Sequence, residues 1–178
     1  VCLNVYYALF YSHVYYGACI WGLTSQKNLK IIETLQNKCV RTMTFADFRS
    51  TANPIYNSLG LIKVRDIIRY QQLKFAYDYF ENRLPDDLCQ LLTKRVEVQS
   101  TNMNLISTNE KTLSLPTILT EHSGRKSLRF QSASLWNQFS SNRIQLDDDI
   151  SFDLDNVKSG SHFKSILKKH FRFIYSTQ

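Results

Sequence analysis

Glycine and proline are scarce, at five and three in 178 residues. An all-β sandwich or barrel needs a turn residue roughly every eight to twelve positions, so the shortage argues for a mainly α chain. Cysteine is also sparse: Cys2, Cys19, Cys39 and Cys89 lie far apart with no paired spacing. Neither a disulfide framework nor a zinc site follows. Buried free thiols in a reducing compartment are expected, which places the chain inside the cell, cytoplasmic or nuclear, and not secreted. No signal peptide is visible, and the chain opens on Val1 within an apolar pattern, so a piece of a longer protein is expected.

Formal charge is missing from residues 1–22, which carry Tyr6, Tyr7, Tyr11, Tyr15 and Tyr16 instead. Length alone would allow a membrane span, leaving a membrane-associated protein anchored by residues 1–22 as one reading. Asn4, Ser12 and His13 interrupt the stretch, and five phenol hydroxyls would need partners in lipid. A buried helix is favoured, ending near Gly17 and Gly22.

The usual catalytic signatures are absent too. There is no phosphate-cradling glycine loop, no Gly-x-Ser-x-Gly elbow and no His-Glu-x-x-His. His13, His122, His162 and His170 are scattered, as packing or surface residues would be. The acidic run Asp147, Asp148, Asp149, Asp153 and Asp155 lacks the central glycine and closing glutamate of a calcium loop, and reads as solvated. Phe45-Ala46-Asp47-Phe48 is similar to the aromatic-Ala-Asp-Asp turn that holds metal ions in polymerases. Phe48 stands where the second carboxylate belongs, and no strand precedes it, so the match is read as chance. No metal or cofactor is expected in this chain.

Apolar residues make up 43% of the chain and aromatics 13%, enough for one sizeable core or a core with a satellite. The formal charge is +7 and unevenly placed. Between Ser25 and Phe75, nine bases face only Glu33, Asp47 and Asp66, so that segment supplies 9 − 3 = +6. Clustered positive charge points to a phosphate backbone or an anionic surface.

The helix expected after the N-cap Ser25, running to about Thr44, is the most informative segment. With Lys27 at zero and about 100° per residue, Lys38 falls near 20°, Lys30 near 300° and Arg41 near 320°. Leu29, Ile32, Leu35, Cys39, Val40 and Met43 fall between about 80° and 220°, on the packed side. The result is a basic stripe about 20 Å long, able to follow several phosphates. A face built only for solubility usually mixes signs, and here only Glu33 is near.

Further along, a short helix is expected around Pro54 to Leu59, closed by Gly60, and a central buried helix from Val64 to Asn82. Another short helix is expected over Asp86 to Lys94, a polar linker over Val96 to Asn109 and an extended piece from Thr112 to Pro116. Ser127 to Phe139 reads as a strand or turn entering a helix, and Asp147 to Lys158 as a loop. The last helix, Ser161 to Ile174, sets Phe163, Ile166, Leu167, Phe171 and Ile174 against Lys164, Lys168, Lys169 and Arg172.

Taken in order, these motifs resemble the C-terminal part of reverse transcriptases from jockey-like non-LTR (LINE-type) retrotransposons. Leu9 to Trp21, with Tyr16-Gly17 and Trp21-Gly22, is similar to one helix of that family. Leu35-Gln36-Asn37-Lys38 with Arg41 is similar to the next, and Pro54 to Leu61 to the connector. Asn82-Arg83-Leu84-Pro85, Gly124-Arg125-Lys126-Ser127, Leu135-Trp136-Asn137 and Ser161 to Lys169 resemble later motifs. The resemblance covers residues 9–173. It departs from the family at Ser132-Ala133, where Gly-Pro is usual, and at Gln138-Phe139, where Leu-Pro is usual.

The resemblance implies a helical thumb-like bundle over residues 1–96, then a C-terminal extension over 97–178 with a short β-hairpin or extended segment and two helices. It implies an RNA or RNA/DNA duplex as partner, gripped through Lys27, Lys30, Lys38 and Arg41. Arg125, Lys126, Lys164, Lys168 and Lys169 are secondary candidates. The catalytic fingers and palm, with magnesium, would lie in another part of the same polyprotein, so this chain alone would be inactive. A stand-alone basic helical nucleic-acid-binding protein is the alternative reading.

Overall fold

The structure, a computed structural model, describes residues 2–95, 111–120, 124–141 and 159–173. The expected linker at Val96 to Asn109 and the acidic stretch at Asp147 to Lys158 lie outside the described residues. The fold is mainly α. Among the described residues the only β pairing is one isolated antiparallel bridge, Lys94 with Leu113, and they show no hairpin within the expected extension at 97–178.

Two compact units are present: residues 1–71 with 156–178, and residues 72–155. This differs from a division near residue 96. The boundary falls inside one helix, a position that composition does not mark, because a continuous helix carries no break in polarity or turn chemistry.

The first unit opens with α1 (Cys2–Val5), a π-helical turn (Tyr6–Tyr11) and α2 (Ser12–Tyr15). Gly17, at φ 63°, then reverses the chain into α3 (Ala18–Trp21). The π turn has a packing reason. Tyr6 and Val14 are both buried, yet eight residues of regular helix would set them about 80° apart. Absorbing one residue in a wider turn brings them within about 20°. Aromatic rings run along this stretch, with Tyr6 stacked on Phe10 at 5.4 Å and Tyr11 on Tyr15 at 5.4 Å.

The expectation of a buried helix over residues 1–22 holds only for one side. Val5, Tyr7, Leu9, Tyr16 and Ile20 are exposed. Among the described residues no helix is long and apolar enough to cross a membrane. The four cysteines are free but not buried: Cys2 is exposed and the others half-buried.

The long helix α4 (Gln26–Thr44) starts where the sequence places it, with Ser25 Oγ accepting from the Asn28 amide. It buries Leu29, Gln36 and Val40, which fall at about 200°, 180° and 220° on the wheel. Leu35, at the edge of the packed arc, remains 48% exposed. The short α5 (Asn53–Leu59) has Pro54 in its first turn and Gly60 at φ 62° as its left-handed cap. Val40, Ala52, Tyr56 and Leu61 form a buried cluster with Tyr6.

Gln36 ties these pieces together. Only 1% exposed, it donates from Nε2 to the Tyr6 hydroxyl oxygen (2.8 Å) and to the Ile62 carbonyl (2.9 Å). Its Oε1 accepts from the Val64 amide at 2.9 Å. A buried amide with each contact satisfied fixes the first helix, α4 and the start of α6 (Val64–Phe80) in one arrangement. Gly22 fixes another contact, since a Cβ there would clash with Ala18 O and meet Ile68 Cγ2 at 2.6 Å. The helix α9 (Gly160–Phe173) belongs to this unit and buries Phe163, Leu167 and Phe171 at helical spacing.

The second unit contains the later part of α6, α7 (Asp86–Cys89) and α8 (Leu128–Ser140). The helix expected over Asp86 to Lys94 is only its first turn. The Ser127 to Phe139 stretch is helical from Leu128, capped by Ser127 Oγ on the Phe130 amide. Trp136 is 1% exposed, stacks on Phe80 at 5.1 Å and donates from Nε1 to Lys111 O at 2.7 Å. Asn137 holds both backbone groups of Leu113, accepting from its amide at 2.9 Å and donating to its carbonyl at 2.8 Å. The segment expected to be extended is therefore held by a side chain standing in for a neighbouring strand.

Candidate nucleic-acid interface

The basic residues of α4 are not equivalent. Lys27, Lys30 and Lys38 are exposed, and among the described residues none of the ion pairs involves them. Glu33, the acid nearest in sequence, is engaged elsewhere: it pairs with Arg65, whose Nη1 also donates to Gln26 Oε1 at 2.8 Å. Ile31 and Leu35 are exposed on the same helix, 55% and 48% respectively.

Arg41 behaves differently. It is half-buried, and its Nε donates to the Ser50 carbonyl at 3.0 Å, pinning the loop after α4 to the helix. Its guanidinium helps line a cleft of 650 Å³ in the first unit, formed by Glu33, Gln36, Asn37, Arg41, residues 49–53, Tyr56, Lys63, Arg65, Asp66 and Arg69. Five cations there face two carboxylates, a surplus of three. Glu33 is offset by Arg65, and Asp66 by Arg69 at 3.2 Å. Lys63 lies 5.8 Å from the centre of the Tyr56 ring. Burial pushes the Tyr56 phenol well above its ordinary range, an effect Arg41 partly opposes. The phenol therefore stays neutral and donates to Asn37 Oδ1 at 2.9 Å.

Periodicity placed Arg41 in the stripe but could not place Arg49, Lys63, Arg65 and Arg69 beside it. They come from the loop after α4, from the residue just before α6 and from α6 itself, and only their membership of the basic segment marked them. Gln36 had a readable signal, as a lone polar residue in the middle of the apolar arc of α4.

Of the secondary candidates, Lys164, Lys168 and Lys169 are exposed on α9, Arg125 is exposed and Lys126 half-buried. Among the described residues no three of histidine, cysteine, aspartate or glutamate converge as a metal site would require. No known family matches the chain, and neither a curated protein nor a solved structure matches it.

Proposed function

We propose that this chain is the primer-template-gripping part of an RNA-directed DNA polymerase of the non-LTR retrotransposon type, contributing nucleic-acid binding and no catalytic residue. The observation that carries the reading is the exposed face of α4, where Lys27, Lys30 and Lys38 have no acidic partner among the described residues. A rigid helix bearing three such lysines meets a sugar-phosphate backbone without reading base sequence. The ordered motifs from Leu9 to Lys169, which resemble the post-catalytic region of those enzymes, supply the polymerase context.

Binding of a labelled RNA/DNA duplex, measured over a range of salt, tests the grip. Each neutralised phosphate contributes about 0.9 to the slope of log K against log salt, so Lys27→Gln, Lys30→Gln and Lys38→Gln together should flatten it by about 2.7. All three side chains are exposed, so the helical circular dichroism should not change. An unchanged slope refutes the role of this face. A reading frame continuous with this one and encoding a palm with paired aspartates tests the polymerase context separately.

A further inference from the structure

The loop after α4 has features that gripping a duplex does not use. Phe45, the C-cap of α4, is 92% exposed and Phe48 is 74% exposed. Phe45 also sits at φ 53°, ψ 28°, a left-handed conformation that glycine accepts freely and a phenylalanine rarely adopts. A helix end that needed only to stop would be served better by glycine. Here a large ring is held in solvent at a torsional cost.

The loop's course is set by its own hydrogen bonds. Asp47 Oδ1 accepts from the Arg49 amide at 2.7 Å, Ser50 Oγ donates to Asp47 O at 2.6 Å, and Arg41 Nε holds Ser50 O. Arg49, directly after Phe48, is exposed, and among the described residues its guanidinium takes no hydrogen bond or ion pair. It lines the same cationic cleft as Arg41, whose Nη groups are likewise without hydrogen bonds among the described residues. Two exposed aromatic rings thus stand on the same short loop as Arg49, which lines the cleft with Arg41, and both guanidinium groups have donors to spare among the described residues.

We infer that this loop and its cleft bind an unpaired nucleotide of a nucleic-acid strand, with the phosphate on Arg41 and Arg49 and the base stacked on Phe45 or Phe48. The inference rests on the nucleic-acid reading above, but on different residues. The chemistry selects the ligand. Guanidinium forks suit phosphate oxygens. A ring in water gains by covering a base face, and such faces are free only where bases are not already stacked in a duplex. The cleft's surplus of three positive charges favours a strand over an apolar peptide.

The test compares a labelled single-stranded oligothymidylate of about twelve nucleotides with a blunt RNA/DNA duplex, by fluorescence anisotropy on the 178-residue chain. Phe48→Ala and Arg49→Gln should each weaken single-strand binding about tenfold and leave duplex binding within about twofold, since neither lies on the lysine face. Phe45→Gly should weaken single-strand binding while raising the melting temperature, because it removes both ring and strain. A merely structural Phe45 would give the second effect without the first.

Single-strand affinity unchanged in Phe48→Ala and Arg49→Gln overturns the inference, as would be seen if the rings covered a protein partner instead. Equal losses on duplex and single strand overturn it as well. If instead the three lysine replacements leave duplex binding intact while Arg49→Gln still weakens the single strand, the grip of α4 fails and the loop site stands.

Discussion

Replacing Gln36 with leucine nearly conserves side-chain volume while removing every polar contact at the centre of the first unit. Three groups then lose a partner: the Val64 amide, the Ile62 carbonyl and the Tyr6 hydroxyl, all on residues that are at least 94% buried. Each buried group left unsatisfied costs about 1–3 kcal/mol, and the added apolar burial recovers a little. The expected loss is at least about 3 kcal/mol, large beside the roughly 5–15 kcal/mol of a typical domain. The assay is urea unfolding followed by tryptophan fluorescence in a Trp136→Phe background. That leaves Trp21, in the first unit, as the reporter. Gln36→Glu adds a sign check. An ionised carboxylate keeps the acceptor for Val64 but turns an oxygen toward Ile62 O, so burial and that carbonyl raise its pKa in the folded state. Stability should therefore be present at low pH, where the acid donates, and be lost as pH rises toward neutrality. A destabilisation below about 1 kcal/mol in Gln36→Leu would refute the idea that this amide organises the unit.

Burial pushes the phenols of Tyr6 and Tyr11 from 10.0 up to about 12, with neighbouring tyrosines adding to the shift and, at Tyr6, the Gln36 hydrogen bond opposing it. Their folded pKa values lie above the unfolded one, so the associated stability is complete below pH 10 and falls away as pH rises toward 12. The last phase of phenolate absorbance should coincide with the loss of circular dichroism in that window, and complete ionisation of all ten tyrosines with the helical signal intact would contradict it. Asn137→Ala removes both bonds to Leu113 and should cost about 1–3 kcal/mol. The Leu113 amide should then exchange with solvent at least tenfold faster, as hydrogen exchange can measure.

Much of the first unit was legible because its signals are local. Ser25 and Gly60 announce their caps by side-chain chemistry and by the absence of a Cβ. The sidedness of α4 follows from a regular 3.6-residue period. Residues 1–22 were misjudged because a lack of charge was read as burial, and the π turn shifts the helical period partway along, so no single wheel separates Tyr6 and Val14 from Tyr7 and Leu9. The cleft was illegible for a different reason: Arg41, Arg49, Lys63 and Arg69 belong to separate segments, and only the tertiary fold assembles them. At Ser127 to Phe139, the expected strand or turn entering a helix is a helix from Leu128, and its Trp136 and Asn137 hold the segment at 111–113.

The widened turn at Tyr6–Tyr11 also gives this stretch an unusual relation to chain length. Shortening a regular helix by one residue rotates everything beyond the deletion by about 100° and exposes what was inside. Here the spiral already carries a residue in excess, so removing one from Tyr7 to Tyr11 would return the winding to 3.6 residues per turn and leave Tyr6 and Val14 aligned. Loss of a codon, ruinous in α4, should be tolerated at this point.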